Sequence, residues 1–592
     1  MTGNQTHRPA EFRRTVTSSL AELAARRPDD VAVAEAGGAE LTYAAWHDGV
    51  ARVAARVSAR VAAGSVVACR FADDDGTGAA LAVLGTVAAG CVALPLSDRF
   101  PPPIAAAALE RYGARLAIAG DGRSGTDLGV PGVALADLLA APAPDGPGEP
   151  LGDLAGRAGA GGIMIYTSGT TGEPRSVLCD QDHLREWLDP RRHRDGATGL
   201  HPFPFDTSGG VGAMLQAAGG SPAVHVPPLV AARFDEALRR YRPSRVTLVP
   251  AQVRALLRHG APGSAASGGV RRVVLTSGRS DAGVIRYVRT RFAQATVTNS
   301  YSSTEAGIAA THRSYPPLAA GGAAAAEAAE PGGATCVGHP DADTEVRIHS
   351  AGRAVPAGQE GDVWLRAIAA PSRRYADAAG SEVFSDGWVR TGDRGYLDGD
   401  GALFLTGRTA DLIDRGGINV AAAEVEAALC RHPAVLEAAV VGLPAESLGE
   451  RIAAAVVTSE PVAPADLRRS VAGHLGELKA PDVVVALAEL PLNAMCKVDK
   501  GTLRELLAAA QAEPAGASGA DSDAAVAAAW SATVAGEDFF DAGGDSYTAI
   551  RLAALIQEAT GVAVDLMDVY EFCTAEALAA EVGRRAAEAR AG

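Results

Sequence analysis

Apolar and polar positions change rhythm along the chain. From about residue 12 to 310, short apolar runs such as 246–249 alternate with helical patterns such as 251–258. This alternation is typical of βα units built on a mostly parallel sheet. Between about 338 and 405, short strand-like runs and turn residues follow one another. The pattern predicts two α/β subdomains followed by a small β-rich subdomain.

Beyond Gly407 the pattern changes again. A helical segment, 421–429, precedes strand-like runs that begin at Val435 and Ile452. That mixture predicts a small α+β subdomain. A polar stretch of small residues follows, and from Ala524 the apolar spacing is helical almost throughout, which predicts an all-α four-helix domain. The predicted segments are 1–406, 407–508, 509–522 and 523–592.

Composition narrows the classes of function. The 592 residues carry a formal net charge of −16, whereas binding to nucleic acid or to an anionic membrane favours a basic surface. The seven cysteines lie far apart without a CxxC pair, which disfavours a disulfide framework or a structural metal site. No apolar run reaches the length of a membrane span. We therefore expect a cytoplasmic protein that binds neither nucleic acid nor membrane.

One stretch, residues 166–175 (YTSGTTGEPR), has the composition of a phosphate-binding loop. It follows the apolar run 163–165 and so leaves a buried strand. Glycines among hydroxyl side chains let backbone amides approach an anion closely. Because Pro174 interrupts the spacing, the loop is not of the Walker A type, and on composition alone an ordinary turn is the simpler interpretation. The candidate phosphate ligands are Thr167, Ser168, Gly169, Thr170, Thr171, Gly172 and Arg175.

The loop resembles the signature YTSGTTGxPK of the adenylate-forming superfamily. That superfamily contains acyl-CoA and aryl-CoA ligases, luciferases and the adenylation domains of nonribosomal peptide synthetases. Two residues depart from the signature, because Arg175 stands for the usual Lys and Ser176 for the usual Gly. The resemblance implies that the loop binds the phosphates of ATP, and the positive charge is retained.

A second stretch, 299–305 (NSYSSTE), resembles the superfamily motif NxYGPTE. The resemblance implies that Tyr301 flanks the adenine, that Thr304 contacts the α-phosphate, and that Glu305 holds Mg²⁺. A carboxylate beside a triphosphate requires a divalent cation between them. Taken alone, the stretch would be a solvated loop with a surface glutamate.

Two further stretches resemble nucleotide-binding motifs. Residues 388–393 (WVRTGD) are similar to YRTGD, in which Asp393 would accept hydrogen bonds from both ribose hydroxyls. Residues 407–411 (GRTAD) resemble GRxD, which implies that Arg408 lies near the ribose and near a hinge between large and small domains. Ala410 stands where the acid is usual, and the acid comes one residue later. By the same resemblance, Glu424 would face the acceptor thiol.

The stretch 490–500 (LPLNAMCKVDK) is close to the motif LPLTxxGKVDR. The resemblance assigns Lys497 to catalysis, where it would reach between the substrate carboxylate and the α-phosphate as negative charge accumulates. A lone lysine in a polar turn is ordinarily a surface residue. Cys496 replaces the usual glycine, which restricts the approach of the loop.

Near the end of the chain, 539–547 (FFDAGGDSY) resembles the carrier-protein motif FFxLGGDS. Ser546 would accept 4′-phosphopantetheine, whose phosphodiester is stabilised at a helix N-terminus. A lone GGDS is an ordinary turn sequence, so the helical context carries the interpretation. Ala542 and Tyr547 stand where leucine is commoner.

The substrate pocket is predicted from the stretch 205–208 (FDTS), which resembles FDxS of amino-acid-activating domains. In those domains the aspartate pairs with the substrate ammonium group, because a buried cation requires an anionic partner. Gly210 stands where a tryptophan floor is frequent, which would leave room for a large group. The resemblance predicts a neutral aromatic or otherwise bulky amino acid, bound by Asp206, Thr207, Gly210, Thr247, Leu275, Ser277, Ser300, Ile308 and Ala309.

The predicted activity is adenylation of an amino acid with ATP and Mg²⁺, followed by transfer of the aminoacyl group to 4′-phosphopantetheine on Ser546. We expect a phosphopantetheinyl transferase and a downstream condensing or tailoring enzyme in trans as partners, since no HHxxxDG or GxSxG motif occurs. A small activating partner protein is a further candidate. The pathway would produce a nonribosomal peptide or a related natural product.

Two alternatives stay open at this point. The SSTEAG and NAMCK forms of two motifs favour an acyl or aryl acid ligase that loads a non-amino acid onto the carrier. The departures Arg175, Ser176, Ala410 and Cys496 would suit a catalytically degenerate scaffold. Retention of Glu305, Asp393, Arg408 and Lys497 favours the enzyme.

Overall fold

The structure is a computed structural model, and the described residues form two compact units. The first unit contains those between 14 and 318 and between 335 and 405, and the second contains residue 334 and those from 406 onward. Within the described part, no helix is both long enough and apolar enough to cross a bilayer. The structure describes residues 14–100, 102–120, 129–140, 161–167, 175–188, 197–226, 231–258, 269–280, 282–307, 310–318, 334–368, 374–376, 383–415, 418–445, 449–493, 497–510, 522–534, 536–539, 542, 546–560, 562, 564 and 566–591.

The first unit combines helices with two sheets. Its helices are α1 (Val16–Arg26), α2 (Tyr43–Ser58), α3 (Gly76–Ala88), α4 (Pro102–Arg111), α5 (Leu135–Ala140), α6 (Gln181–Glu186), α7 (Ser208–Ala218), α8 (Ala231–Tyr241), α9 (Pro250–Arg258) and α10 (Ala282–Arg291). Its strands are β1 (Val31–Glu35), β2 (Glu40–Thr42), β3 (Val66–Phe71), β4 (Val92–Ser97), β5 (Ala114–Ala119), β6 (Gly132–Ala134), β7 (Gly162–Thr167), β8 (Arg175–Asp180), β9 (Gly199–His201), β10 (Ala223–His225), β11 (Arg245–Leu248), β12 (Arg272–Leu275), β13 (Thr296–Ser302), β14 (Ala310–Tyr315), β15 (Thr335–Pro340), β16 (Thr344–Ser350), β17 (Arg353–Ala354), β18 (Gly361–Ala367), β19 (Arg374–Tyr375), β20 (Phe384–Ser385), β21 (Trp388–Leu397) and β22 (Leu403–Arg408).

The larger sheet changes from parallel to antiparallel at β13. Strands β1, β10, β9, β11, β12 and β13 lie side by side and parallel, and β14 and β15 then continue the sheet in antiparallel pairing. From β15 the sheet runs on through β22, β21, β18, β16 and β17. The smaller sheet has the order β19, β8, β7, β4, β3, β5, β6, and its strands from β7 to β6 are parallel.

Helix α3 occupies the centre of the first unit. All of its residues are buried, which is expected of a helix that is apolar on every side. It shares one apolar core with α2, α7 and the strands of the smaller sheet. Helices α8, α9 and α10 cover a second core on the larger sheet. Because the helices pack on the faces of the sheets, we expect the binding site at the carboxyl ends of the parallel strands, as is usual in α/β folds.

The second unit contains an α+β part and a helical part. Its strands are β23 (Leu412–Arg415), β24 (Ile418–Ala421), β25 (Val435–Ala445), β26 (Gly449–Thr458) and β27 (Val483–Ala486), which form a sheet in the order β24, β23, β26, β25 with β27 beside β26. Its helices are α11 (Ala422–Leu429), α12 (Pro464–Leu475), α13 (Lys500–Ala509), α14 (Ser522–Thr533), α15 (Ser546–Thr560), α16 (Leu566–Glu571) and α17 (Ala575–Ala591). The last four share an apolar core around Trp530 and Phe539.

The predicted fold class is confirmed, and most predicted elements begin or end within a few residues of the observed ones. Helix α9 begins at Pro250, one residue before the predicted start, as suits a proline in the first helical turn. Strand β13 runs on to Ser302 and so includes the first part of the stretch 299–305, which on its own residues would be a solvated loop. The division between the units falls between residues 405 and 406. The finer segment boundaries stay predictions, and most of the linker 509–522 lies outside the described residues.

Replacement of Gly338 by alanine tests the close contact between β14 and β15. Gly338 has φ +79°, and a Cβ there would lie 2.0 Å from the His312 carbonyl oxygen, whereas Gly352 has φ +77° and nothing within 4 Å. We expect Gly338→Ala to lower the free energy of unfolding by about 1–3 kcal/mol more than Gly352→Ala, since only the former adds overpacking to the shared backbone strain. Urea denaturation followed by tryptophan fluorescence measures both, and equal losses would contradict the contact.

Candidate active site

Strand β13 and the turn after it bring three predicted site residues to the carboxyl-end edge of the larger sheet. It pairs with β12 on one side and β14 on the other, and Tyr301 lies opposite Thr311 of β14. The strand ends at Ser302, and the turn that follows contains Thr304 and Glu305, both half-buried. The first four residues of the motif, 299–302, are therefore held by pairing with β14, and its last three residues form the turn.

Tyr301 is hydrogen-bonded to a second predicted site residue. Its Oη donates to Oδ2 of Asp393 at 2.7 Å, although the two residues are 92 positions apart in the chain. Asp393 is 8% exposed, and its backbone amide donates to Thr391 Oγ1 at 3.1 Å. Thr391 in turn donates to the Val363 carbonyl oxygen at 2.9 Å. The structure thus brings the predicted adenine and ribose residues into direct contact.

Glu305 is oriented by two hydroxyl donors. Ser303 Oγ donates to Oε2 at 2.6 Å, and Tyr375 Oη donates to Oε1 at 3.1 Å. Burial and the Glu305 carboxylate raise the pKa of the Tyr375 hydroxyl, so the phenol stays protonated and donates. Sequence analysis missed both donors. Ser303 lies inside the recognised motif, whereas nothing in the local pattern around Tyr375 indicates its partner.

Tyr375 reaches this position through strand pairing. It lies on β19, opposite Val177 of β8, and the amide of Ala376 donates to the Ser176 carbonyl oxygen at 2.8 Å. The guanidinium carbon of Arg175 lies 5.5 Å from the centre of the Tyr375 ring. A planar guanidinium suits this contact better than a lysine ammonium, which gives the departure at position 175 a structural reason.

Part of the predicted phosphate loop lies outside the described residues. The predicted loop residues outside the described part are Ser168, Gly169, Thr170, Thr171 and Gly172. Two predicted pocket residues, Ile308 and Ala309, also lie outside it. The strand β7 that leads to the loop ends at Thr167, preceded by Tyr166, which is buried. The described end of the loop, Arg175, begins β8.

Three of the predicted pocket residues, Thr247, Leu275 and Ser300, lie near the carboxyl ends of three adjacent parallel strands. Thr247 is opposite Val274, and both are half-buried, as is Ser300 on β13. Leu275 instead is fully buried in the core beneath helices α9 and α10. Its assignment to the pocket wall is therefore corrected: side chains alternate along a strand, and Val274 lies on the face that carries Thr247. Ser277 follows β12 with φ +59° and is exposed.

Asp206 is fully buried and already has a cationic partner. Its Oδ2 accepts a hydrogen bond from the Ser97 amide at 2.8 Å, and its Oδ1 lies 3.0 Å from Nη2 of Arg99. Arg99 Nε lies 2.8 Å from Oδ2 of Asp73, so the guanidinium bridges two carboxylates. Burial raises the pKa of Asp73, and Arg99 lowers it in part. Sequence analysis missed Arg99, which lies 107 positions from Asp206.

Thr207 and Gly210 have structural roles at the start of α7. Thr207 Oγ1 accepts from the Gly210 amide at 3.1 Å and donates to the Pro204 carbonyl oxygen at 2.7 Å, so Thr207 caps the helix. A Cβ on Gly210 would lie 2.1 Å from the Pro204 carbonyl oxygen. The space predicted beside Gly210 for a large substrate group is therefore filled by the backbone of 204–205.

The motif 407–411, which was predicted to lie near a hinge, belongs to the second unit. Lys500 of the same unit forms an ion pair with its acidic residue. Arg408 ends β22, and Asp411 lies in the short 3₁₀ turn that follows. Lys500 Nζ lies 3.0 Å from Asp411 Oδ2 and 3.5 Å from Glu426 Oε1. Burial alone would lower the pKa of Lys500, but the two carboxylates raise it above its ordinary value. Glu424 is paired with Lys479 Nζ at 2.7 Å.

Lys497 and Ser546 are the remaining predicted site residues. Lys497 closes a turn in which its amide donates to Asn493 Oδ1 at 3.2 Å and its carbonyl oxygen accepts from the Asn493 amide at 2.8 Å. The neighbouring Cys496 lies outside the described residues. Ser546 is the first residue of α15, a helix of 15 residues.

Three family models match the chain in order. The model of the AMP-binding enzyme family matches residues 20–371, which is more than half of the chain. The model of the AMP-binding enzyme C-terminal domain matches 424–497, and that of the phosphopantetheine attachment site matches 531–582.

Curated relatives match shorter stretches. A 4-chlorobenzoate–CoA ligase from Arthrobacter sp is 47% identical over 165 residues, which are 27% of this chain and 31% of that protein. A sulfoacetate–CoA ligase from Cupriavidus necator is 32% identical over 349 residues, which are 57% of this chain and 65% of that protein. The matched part thus spans less than two thirds of the length of either relative.

Solved structures share the fold of most of the chain. The amide bond synthetase McbA from Marinactinospora thermotolerans has a TM-score of 0.69 and 29% identity, covering 83% of this chain and 99% of that one. The o-succinylbenzoate CoA synthetase MenE from Bacillus subtilis, solved with an acyl-adenylate, has a TM-score of 0.69, 22% identity, and coverage of 82% and 97%. The chain therefore belongs to the AMP-binding enzyme family, and its adenylate-forming part is fused to a phosphopantetheine carrier domain.

Proposed function

We propose that the chain is an AMP-forming ligase that activates a carboxylic acid with ATP and loads the acyl group onto its own carrier domain. The observation that carries this proposal is the pair of tyrosine-held carboxylates, Asp393 and Glu305, beside the motif of β13. Family membership supports it, because adenylate-forming and carrier domains are joined in one chain. The family resemblance assigns Asp393 to the ribose and Glu305 to Mg²⁺.

The residues fit a Mg²⁺ ion that is bound together with the nucleotide. Among the described residues, no three His, Cys, Asp or Glu side chains come together as a metal site. Mg²⁺ typically takes one or two protein carboxylates and completes its coordination with phosphate oxygens and water. Each oxygen of Glu305 accepts one hydroxyl hydrogen bond and keeps a further lone pair. When bound, Mg²⁺ would neutralise charge on the phosphates.

The proposed reaction has two steps. A carboxylate oxygen of the acid attacks the α-phosphorus of ATP, the bond to the leaving pyrophosphate breaks, and an acyl-adenylate forms. Thr304, Arg175 and Lys497 would donate hydrogen bonds to the phosphate oxygens as charge accumulates. The pantetheine thiolate then attacks the acyl carbon, and AMP leaves. Because the carrier is tethered, the second step is intramolecular.

Ser546 is the proposed attachment point of the pantetheine arm. It begins α15, and the positive end of a helix dipole lies at the N-terminus, where it stabilises a phosphodiester. The match to the phosphopantetheine attachment family spans this residue. A phosphopantetheinyl transferase is therefore a proposed partner, as is an enzyme in trans that accepts the acyl thioester.

We further propose that the acid lacks an α-ammonium group. The amino acid prediction depended on Asp206, yet its carboxylate is buried and is satisfied by Arg99 and the Ser97 amide. An ammonium group would have to displace the guanidinium, and that exchange would leave Arg99 with Asp73 alone. The names of the curated relatives, such as 4-chlorobenzoate–CoA ligase, also support acids without an amino group.

An amino acid is the alternative substrate, favoured by the aspartate in the stretch FDTS. The two classes differ in a matched panel of acids with the same side chain. We expect 3-phenylpropionate and phenylacetate to support ATP–pyrophosphate exchange at least about 100-fold better than phenylalanine and phenylglycine, because a buried ammonium without an anionic partner is strongly disfavoured. Faster exchange with the amino acids would restore the alternative.

The ion pairs of Arg99 predict a pH-dependent loss of stability. Arg99→Met leaves Asp73 and Asp206 near each other without their shared cation, so we expect a loss of about 3 kcal/mol in the free energy of unfolding at pH 7. Asp206→Asn leaves Arg99 paired with Asp73 and should lose only about 1 kcal/mol.

The sign of the pH effect follows from the raised pKa of Asp73, which removal of Arg99 would raise further. A folded state with a raised carboxyl pKa binds protons more readily than the unfolded chain. The deficit of Arg99→Met relative to the parent should therefore shrink as the pH falls from 7 toward 4. Urea denaturation at several pH values measures it, and a constant deficit would argue against the bridging role.

Two substitutions separate activation from loading. Lys497→Ala should slow pyrophosphate exchange by about 10²–10³-fold, since it removes a cation from the developing charge. Ser546→Ala should leave exchange unchanged but prevent both attachment of the pantetheine arm and acylation of the protein. Intact-protein mass spectrometry after incubation with a phosphopantetheinyl transferase, ATP and the acid measures loading.

The same experiment addresses the scaffold alternative. A protein that takes up the arm on Ser546 but exchanges pyrophosphate with no acid would support a degenerate adenylation domain. Acylation of Ser546→Ala, or unchanged exchange by Lys497→Ala, would refute the proposed roles of these residues.

A further inference from the structure

The orientation of the Glu305 carboxylate depends on a residue outside every recognised motif. Ser303 holds one carboxylate oxygen from two positions away, and Tyr375 holds the other from 70 positions away. With the serine alone, the carboxylate would keep one donor and could rotate about its terminal bond, because that torsion is broad. The tyrosine hydroxyl donates to the other carboxylate oxygen, and the two hydrogen bonds together fix the orientation of the carboxylate plane.

Tyr375 also contacts the residue that closes the phosphate loop. Its ring lies under the Arg175 guanidinium and meets Phe384 edge-on, with ring centres 5.4 Å apart. Strand β19 is paired with β8, which begins at Arg175. The ring position is therefore set by backbone pairing with the same strand that carries the arginine.

We propose that Tyr375 is a positioning residue for the Mg²⁺–ATP complex. Its hydroxyl orients the Glu305 carboxylate toward the cation, and its ring supports the Arg175 guanidinium. The inference rests on the proposed function, since it assigns Glu305 to Mg²⁺. The hydroxyl contacts both Glu305 and Arg175, whereas the ring contacts Arg175 alone of the two.

The test uses Tyr375→Phe in the full chain, which removes the hydroxyl and keeps the ring. Tyr241→Phe is the matched control, because Tyr241 Oη donates to a glutamate carboxylate, Glu40, at 3.0 Å in another part of the same unit. ATP binding is measured by isothermal titration calorimetry with Mg²⁺ and with EDTA, and the thermal midpoint of each protein is recorded.

We expect Tyr375→Phe to reduce the gain in ATP affinity that Mg²⁺ brings by about tenfold, as suits the loss of a hydrogen bond to a charged group. ATP binding in EDTA should weaken less than binding with Mg²⁺, because the ring contact with Arg175 remains and only the contact of the hydroxyl with the arginine is lost. In pyrophosphate exchange, the Mg²⁺ concentration for half-maximal rate should rise about tenfold, with a smaller change in the rate at saturating Mg²⁺. Tyr241→Phe should match the parent in every binding measurement.

A gain from Mg²⁺ in Tyr375→Phe equal to that of the parent overturns the inference. So does an equal weakening of ATP binding with Mg²⁺ and with EDTA, since that pattern indicates a general structural role. A parent protein that binds no ATP, or gains nothing from Mg²⁺, refutes the proposed function and the inference together. The parent measurement thus distinguishes the two failures.

Discussion

Two carboxylates in the first unit are held by tyrosine hydroxyls from distant parts of the chain, and the proposed chemistry depends on these bonds. Tyr301 holds Asp393 and Tyr375 holds Glu305. Each tyrosine is positioned by strand pairing, on β13 and β19 respectively. A carboxylate with the proposed role of binding a ribose or a magnesium ion gains from a donor that fixes its direction before the ligand arrives, because less conformational freedom is then lost on binding.

Much of the fold could be predicted from the sequence because long stretches alternate clearly between strand and helix patterns. Helices α9 and α11 and strands β11 and β25 fall where the pattern indicates them. The extension of β13 to Ser302 could not be predicted, because its polar end has no apolar period. The backbone of this polar end, 300–302, is stabilised instead by pairing with β14, which only the folded chain brings alongside.

The candidate site likewise contains residues that could be predicted from the sequence and residues that could not. Residues inside contiguous motifs, such as Tyr301, Glu305 and Asp393, were predicted by resemblance. Tyr375 and Arg99 were not, because each acts through a partner 70 or 107 positions away that only the folded chain brings near. Asp206 shows the consequence: the motif gives the identity of the side chain, whereas its charge environment is supplied by Arg99. Exchange of this buried ion pair for a pair with a substrate ammonium group is disfavoured, because it would leave the displaced guanidinium without its partner.

Two residues that differ from the family motifs have specific contacts that explain the difference. Arg175 replaces a lysine, and its guanidinium lies over the ring of Tyr375, where a flat cation makes the better contact. Asp411 comes one residue later than the usual acid, and Lys500 pairs with it inside the second unit. A degenerate site is expected to lose such partners together with its ligands, since nothing would then select for them. Substituted residues that keep specific partners therefore favour an altered but working site over a scaffold.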